Sequence, residues 1–186
     1  MIKVKIDMKK IAFALLFFIL GLNLFVFAAE QNKKSTIPAK VESVKQQGNT
    51  YLTYHNTKFN YSITYPKDVL YPQGESDNGD GQKFLSKNAD ASLTVYGSNN
   101  VLEQSLEDLY LEESRGGTYD NPKKVVTYKV LKNNWFVISG YNSGKIFYQK
   151  TILNKNQFKS FYFEYSESKK KIYDPVTKQI ASSFKG

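Results

Sequence analysis

The stretch WFVISGYNSGKIFYQKTILNKNQFKSFYFEY, Trp135–Tyr165, decides the fold. It reads as three strands in succession: Trp135–Tyr141, Lys145–Leu153 and Phe158–Tyr165. Asn142-Ser143-Gly144 is hairpin chemistry, because Asn and Gly accept the positive φ that tight hairpin turns require. Asn154–Gln157 is a second short turn. Parallel strands need long crossovers, so connections this short imply antiparallel pairing. Trp135–Ile138 is apolar without a break, which predicts a central strand covered on both faces and places Trp135 in the core. Along Lys145–Leu153, Ile146, Tyr148 and Ile152 alternate with Phe147, Gln149 and Thr151.

The same pattern extends outward in both directions. Lys124–Leu131 forms a strand that reaches the turn Lys132-Asn133-Asn134. Near the start, Phe59, Tyr61, Ile63 and Tyr65 alternate with polar residues until Pro66 stops the strand. Residues 72–81 are a turn-rich loop, followed by strands at Gln82–Ser86 and Ala91–Tyr96. Leu102, Leu106, Leu109 and Tyr110 recur at helical spacing. Asn100 is placed to cap that helix, with Glu103 in capping-box position, and Gly116-Gly117 ends it. A terminal helix carries Ile172, Val176, Ile180 and Phe184, with Asp174-Pro175 as its N-cap and first position. The expected fold class is therefore α+β: an antiparallel β-sheet of about six to seven strands flanked by helices.

The N-terminus says where the chain goes. Lys3, Lys5, Lys9 and Lys10 precede an apolar run from Ile11 to Phe27 that ends in Ala28-Ala29. This is the succession of a secretory signal peptide over residues 1–28, with cleavage after Ala28. An uncleaved anchor is the alternative, and it would be the chain's only membrane contact. Either way a periplasmic or secreted location is expected. Residues 29–48 are polar and without period, a flexible linker, and residues 49–186 form a single α+β domain.

Charge and residue inventory exclude several chemistries. The chain of 186 residues has a net charge of +9, no Cys and one His. Disulfides are excluded, and so is a lipid-modified cysteine. From Lys123 onward thirteen Lys face Glu164, Glu167 and Asp174, a balance of +10. A basic half attracts anionic partners. Arg115 is the only Arg, and direct base readout leans on Arg forks, so nucleic acid is not an expected partner. His55 has no nucleophile or carboxylate placed beside it by spacing, so no catalytic residue is assigned. One His and no Cys give no zinc set, and no cofactor or metal is expected. The loop Glu75–Gly81 offers Glu75, Asp77 and Asp80. Its register does not fit an EF-hand, and Asp-Asn-Gly-Asp-Gly is also good turn chemistry. The best aromatic-plus-cation set is Tyr141 and Tyr148 around the 142–144 hairpin, with Lys145 and Lys150 beside them. These four are the candidate binding residues.

Five segments together resemble a known group: YSITYP (Tyr61–Pro66), NGDGQKF (Asn78–Phe84), LTVYG (Leu93–Gly97), SGYNSGKIFYQKT (Ser139–Thr151) and YDPVTKQIASSFK (Tyr173–Lys185). They are similar to small exported bacterial proteins without an assigned activity, and through them to the PsbP-type α/β/α sandwich. The resemblance covers about residues 50–185 and supplies no catalytic residues. It implies a PsbP-like fold and, by fold-level analogy, a binding or assembly role. The expected function is an exported, non-enzymatic binding or assembly module, with an envelope protein or cell-wall polymer as partner. Two alternatives stay open: a hydrolase with a carboxylate-based site, and an immunity-type or chaperone protein that occludes an exported partner.

Overall fold

The computed structural model describes residues 44–46, 48–117, 119 and 121–186. The expected signal peptide, residues 1–28, and the expected linker from 29 as far as 43 lie outside the described residues. The described residues form six strands, a helix, four more strands and a second helix. Three form a small sheet: β1 (Val44–Gln46), β2 (Asn49–Asn56) and β3 (Tyr61–Pro66). The other seven are β4 (Tyr71–Glu75), β5 (Gly81–Leu85), β6 (Ala91–Asn99), β7 (Lys124–Leu131), β8 (Trp135–Asn142), β9 (Lys145–Asn154) and β10 (Gln157–Ser166). They pair antiparallel throughout, in the order β4-β5-β6-β10-β9-β8-β7. Helix α1 is Leu106–Glu113, and α2 is Lys170–Ser183 after a 3₁₀ turn. Both hairpins of the central stretch turn on two residues with positive φ, Ser143-Gly144 and Lys155-Asn156. That backbone twist matches the twist of the strands it joins.

The large sheet is covered on both faces, as an α+β sandwich. On one face it packs against β3 and α2. The core there includes Phe84, Leu93, Phe161 and Phe163 from the sheet, Ile63 from β3 and Ile180 from α2. On the other face α1 lays Leu106 on Phe136, Ile138, Phe147 and Phe158. Phe136, Val137 and Ile138 are all buried, so β8 is covered on both sides in that stretch.

Several details differ from the sequence reading, each for a local reason. The helix after β6 begins later than Asn100. Ser105 caps it by accepting from the Asp108 N–H at 3.0 Å. Asn100 instead closes a tight loop, accepting from Gln104 N–H and donating to the Gln104 carbonyl. Val101 and Leu102 are left exposed. The 72–81 loop contains the edge strand β4, whose residues are all exposed and therefore carry no apolar alternation. Val44–Gln46 pairs with β2, so strand pairing starts before residue 49. Helix α2 begins at Lys170 and runs through Asp174-Pro175. Pro175 is the sixth residue of the helix and has no N–H to give to the Lys171 carbonyl. Tyr173 takes the buried position expected of Ile172, which is exposed.

Trp135 is half-buried at the margin of the first core, and Lys150 Nζ lies 5.6 Å from its ring centroid. The reason is its place at the first position of β8 on the α2 side, where Lys150 separates it from Phe184 at the end of α2. Trp135→Ala is expected to cost about 2 kcal/mol, below the 3–5 kcal/mol of a fully buried large aromatic. Denaturant melts measure this.

Two tyrosine–aspartate pairs fasten α2 to the sheet. Tyr173 OH donates to Asp90 Oδ1 at 2.7 Å, and Tyr165 OH donates to Asp174 Oδ1 at 2.7 Å. Hydrogen bonds from Ser86 and Tyr173 hold the Asp90 carboxyl below its usual range. Burial pushes Asp174 up, but hydrogen bonds from Lys170 and Tyr165 outweigh it and the carboxyl also sits low. A carboxyl depressed by folding stabilises the native state above its unfolded pKa, near pH 4. That contribution is lost as pH falls through the folded value. Thermal melts are expected to show a steep loss of stability below about pH 4. In Asp90→Asn that acid limb should flatten and the neutral-pH melting temperature should drop.

Candidate functional site

The α1 side of the sheet has a polar cleft of about 370 Å³. Tyr96 on β6, Tyr162 and Glu164 on β10 and Gln149 on β9 form its floor, and Glu113 and Lys124 stand beside them. Register explains the floor. Thr94, Tyr162, Gln149 and Ile138 form one rung across four strands, so their side chains share a face. Local structure explains the wall. Helix α1 ends at Glu113, and the turn after it passes through Gly117 at φ +59. Gly117 N–H then bonds the Lys124 carbonyl at 2.9 Å, which sets the helix end against the start of β7.

The charges of the cleft are paired. Lys124 Nζ donates to the Glu113 carbonyl at 2.7 Å and lies 3.6 Å from Glu113 Oε2. It also sits 5.5 Å from the Phe147 ring centroid, and Phe147 stacks on Tyr162 at 5.6 Å and 8°. Lys145 Nζ donates to Glu164 Oε1 at 2.7 Å. Burial pushes the Glu113 carboxyl up, against the pull of Lys124. Burial likewise raises Tyr96 and Tyr162 to about 12, so both remain neutral hydroxyl donors. The cleft therefore presents neutral hydroxyls and an amide between two compensated ion pairs.

Removing the cation tests this balance. The Glu113 side chain keeps 35% of its surface exposed, so the cost of stranding it is discounted for solvent screening. Lys124→Met is expected to cost about 1–2 kcal/mol at neutral pH. The loss should shrink at low pH, where Glu113 is protonated and no bare carboxylate remains. Melts at both pH values check it.

The four residues singled out from sequence divide between the two faces. Lys145 is on the cleft side, bonded to Glu164. Tyr141, Tyr148 and Lys150 are on the opposite side, as the period-2 alternation of β8 and β9 requires. Tyr141 is partly exposed. Tyr148 stacks on Phe161 at 5.9 Å and 13°. Lys150 lies between Trp135 and Phe184, 5.6 and 5.9 Å from their ring centroids, and donates to the Ala181 carbonyl at 3.2 Å. Burial pushes its ammonium pKa down. The basic half is thus not one continuous face: Lys124, Lys145 and Lys170 are in ion pairs, and Lys150 and Lys159 are drawn inward.

The other sequence candidates have local roles. His55 is exposed on β2, opposite Ser62. In the 75–81 loop, Glu75 accepts from Tyr54 OH at 2.7 Å, and Asp80 accepts from Ser76 at 2.6 Å and Asn78 at 2.8 Å. Among the described residues no three His, Asp or Glu converge on one point. Glu113, Lys124, Tyr96 and Gln149 were missed from sequence because they come from four separate elements. Only the alternation of Gln149 within an apolar strand hinted at a polar spot inside.

The strand order and the two covering layers can be compared with known structures. The chain is similar to the solution structure of cyanobacterial PsbP (CyanoP) from Synechocystis sp. PCC 6803, with a TM-score of 0.56. The fold is PsbP-like. The similarity covers 73% of this chain and 91% of that one, at 15% sequence identity, and it speaks for the fold alone. No family model and no curated protein matches the chain.

Proposed function

We propose that the protein is an exported, non-enzymatic binding or assembly module of the cell envelope. The observation that carries this reading is the pairing of charges in the cleft: Lys124 with Glu113, and Lys145 with Glu164. With each cation matched by a carboxylate, the cleft offers hydroxyl and amide hydrogen-bonding groups more than net charge, which suits recognition of a polar partner. The basic and apolar N-terminus supports export, and N-terminal sequencing of the protein from the envelope fraction should begin at Ala29. The PsbP-like fold is compatible with the reading by architecture only.

One observation favours the carboxylate-hydrolase reading instead. Glu113 has a raised carboxyl pKa and shares the cleft with Glu164. A raised carboxyl beside a second carboxylate is the usual arrangement of an acid–base pair. The test is turnover. The full chain is incubated with cell-wall fragments and peptides, alongside Glu113→Gln and Glu164→Gln. No product from any of the three proteins is expected. Turnover lost in either variant would replace binding by catalysis.

Replacing Lys145 and Lys150 with Glu is a poor probe of binding. Lys145→Glu would set a second carboxylate against Glu164, and Lys150→Glu would place one between two aromatic rings.

A further inference from the structure

We propose that the open margin of the sheet at β7 and β8 is a platform for an acidic polysaccharide, which rests on the reading of the protein as a binding module. Cross-strand register lays two rungs across this face. Tyr165, Ile146, Tyr141 and Val125 form the first. Phe163, Tyr148, Ser139 and Tyr128 form the second. The β10 ends of both rungs are buried in the core, beside Tyr173 of α2, but the β7 ends are bare. Val125 is 54% exposed, Tyr128 56% and Tyr141 38%. The result is an open strip of Tyr rings on a sheet, with Tyr148 half-buried at its inner side.

Charge decides the sign of the ligand. Helix α2 borders the strip. Asp174 accepts from Tyr165 OH of the first rung and from Lys170 Nζ, and Lys178 lies one helical turn beyond Asp174 on the same helix. Both lysines are exposed. Lys150 is on the same face of the sheet but is drawn between Trp135 and Phe184, so it is not one of the border charges. Asp174 beside the two exposed lysines is already held by Lys170 and Tyr165. Glu167 lies at the exposed start of the preceding 3₁₀ turn. With the exposed Lys169, Lys170, Lys171 and Lys178 set against Glu167 and Asp174, the border is net positive and complements an anion.

The strip also selects among anions. An acidic peptide adding to the bare edge of β7 would need a regular ladder, but β7 is bulged between Val126 and Tyr128. A glycan needs no ladder. Its pyranose faces stack on aromatic rings while its hydroxyls meet the phenol tips, which suits Tyr better than aliphatic residues. Tyr128 and Tyr148 lie on strands two apart, roughly 10 Å. That is close to the repeat of alternate rings in an extended pyranose chain. Uronic carboxylates would then meet Lys170 and Lys178.

The experiment is affinity electrophoresis of the full chain in gels containing polygalacturonate, neutral dextran or poly-glutamate. Retardation by polygalacturonate, weaker with dextran, is expected. Tyr128→Ala with Tyr141→Ala should reduce that affinity by roughly tenfold, the size expected when two stacking rings are lost. Both residues are exposed, so the melting temperature should hold. Lys178→Glu should weaken polygalacturonate and leave dextran unchanged. Absence of retardation, or retardation untouched by the tyrosine changes, overturns the platform. Equal, tyrosine-independent retardation by poly-glutamate also overturns it, in favour of charge alone. Those results leave the binding-module reading standing, which falls only to substrate turnover.

Discussion

Phe161→Ala is expected to lower stability by about 3–5 kcal/mol, the range for emptying a large aromatic site in a core. Phe161 is fully buried on β10, the strand between β6 and β9. Its ring stacks on Tyr148 at 5.9 Å and meets Phe184 edge-on at 5.2 Å and 85°. Both neighbours are themselves held. Phe184 also packs on Tyr61 at 6.1 Å, and α2 is fastened through Asp90 and Asp174. Rigid rings collapse poorly into a void, so the upper part of the range is expected. For a domain of this length the melting temperature should fall by roughly 10 °C. The effect should extend to the open face, because Tyr148 rests on this ring. A calorimetric loss below about 1 kcal/mol would mean that the two layers slide together to close the gap.

Gly140→Ala should be the second large effect, about 2–3 kcal/mol, from overpacking. Gly140 is buried on β8 opposite Val126, where β7 bulges. A Cβ there would fall inside contact distance of the Val125 carbonyl oxygen and near the Thr127 amide. Those atoms are backbone, so β7 itself would have to move. The damage is expected to be local. Amide exchange should quicken over Lys124–Leu131 while β9 and β10 stay protected. Lys124 opens β7, so its contact with Glu113 should loosen. Val125 and Tyr128 would leave the platform in the same step. The contrasting position is Gly144, at φ +79 with open space around its missing Cβ. Alanine there meets only the backbone cost of positive φ, about 1 kcal/mol. Uniform unfolding in Gly140→Ala, with no selective exposure of β7, would refute the local picture.

Much of the architecture was legible from short-range chemistry. Hairpin residues at 142–144 and 154–157, and the alternation of β9, are local facts about φ tolerance and side-chain period. They are sufficient for antiparallel order and for the two faces of each strand. The same alternation separates Lys145 from Tyr148 and Lys150. The exact start of α1 was not legible, because Asn100 and Ser105 are both good caps and only packing of Leu106 on Phe136 selects the second. Strand β4 was hidden because an exposed edge strand shows no apolar rhythm.

What the sequence determined by itself is the α+β class, the antiparallel hairpins, the lack of thiol chemistry and the basic C-terminal half. Each follows from composition or from contacts a few residues apart. What only the tertiary structure decided is which charges survive as free charges. Lys124 meets Glu113 across 11 positions and Lys145 meets Glu164 across 19, while Lys150 is drawn between rings from β8 and the end of α2. These pairings depend on strand order and layer packing. An ion pair forms between atoms brought within a few ångströms, and distance along the chain does not encode that.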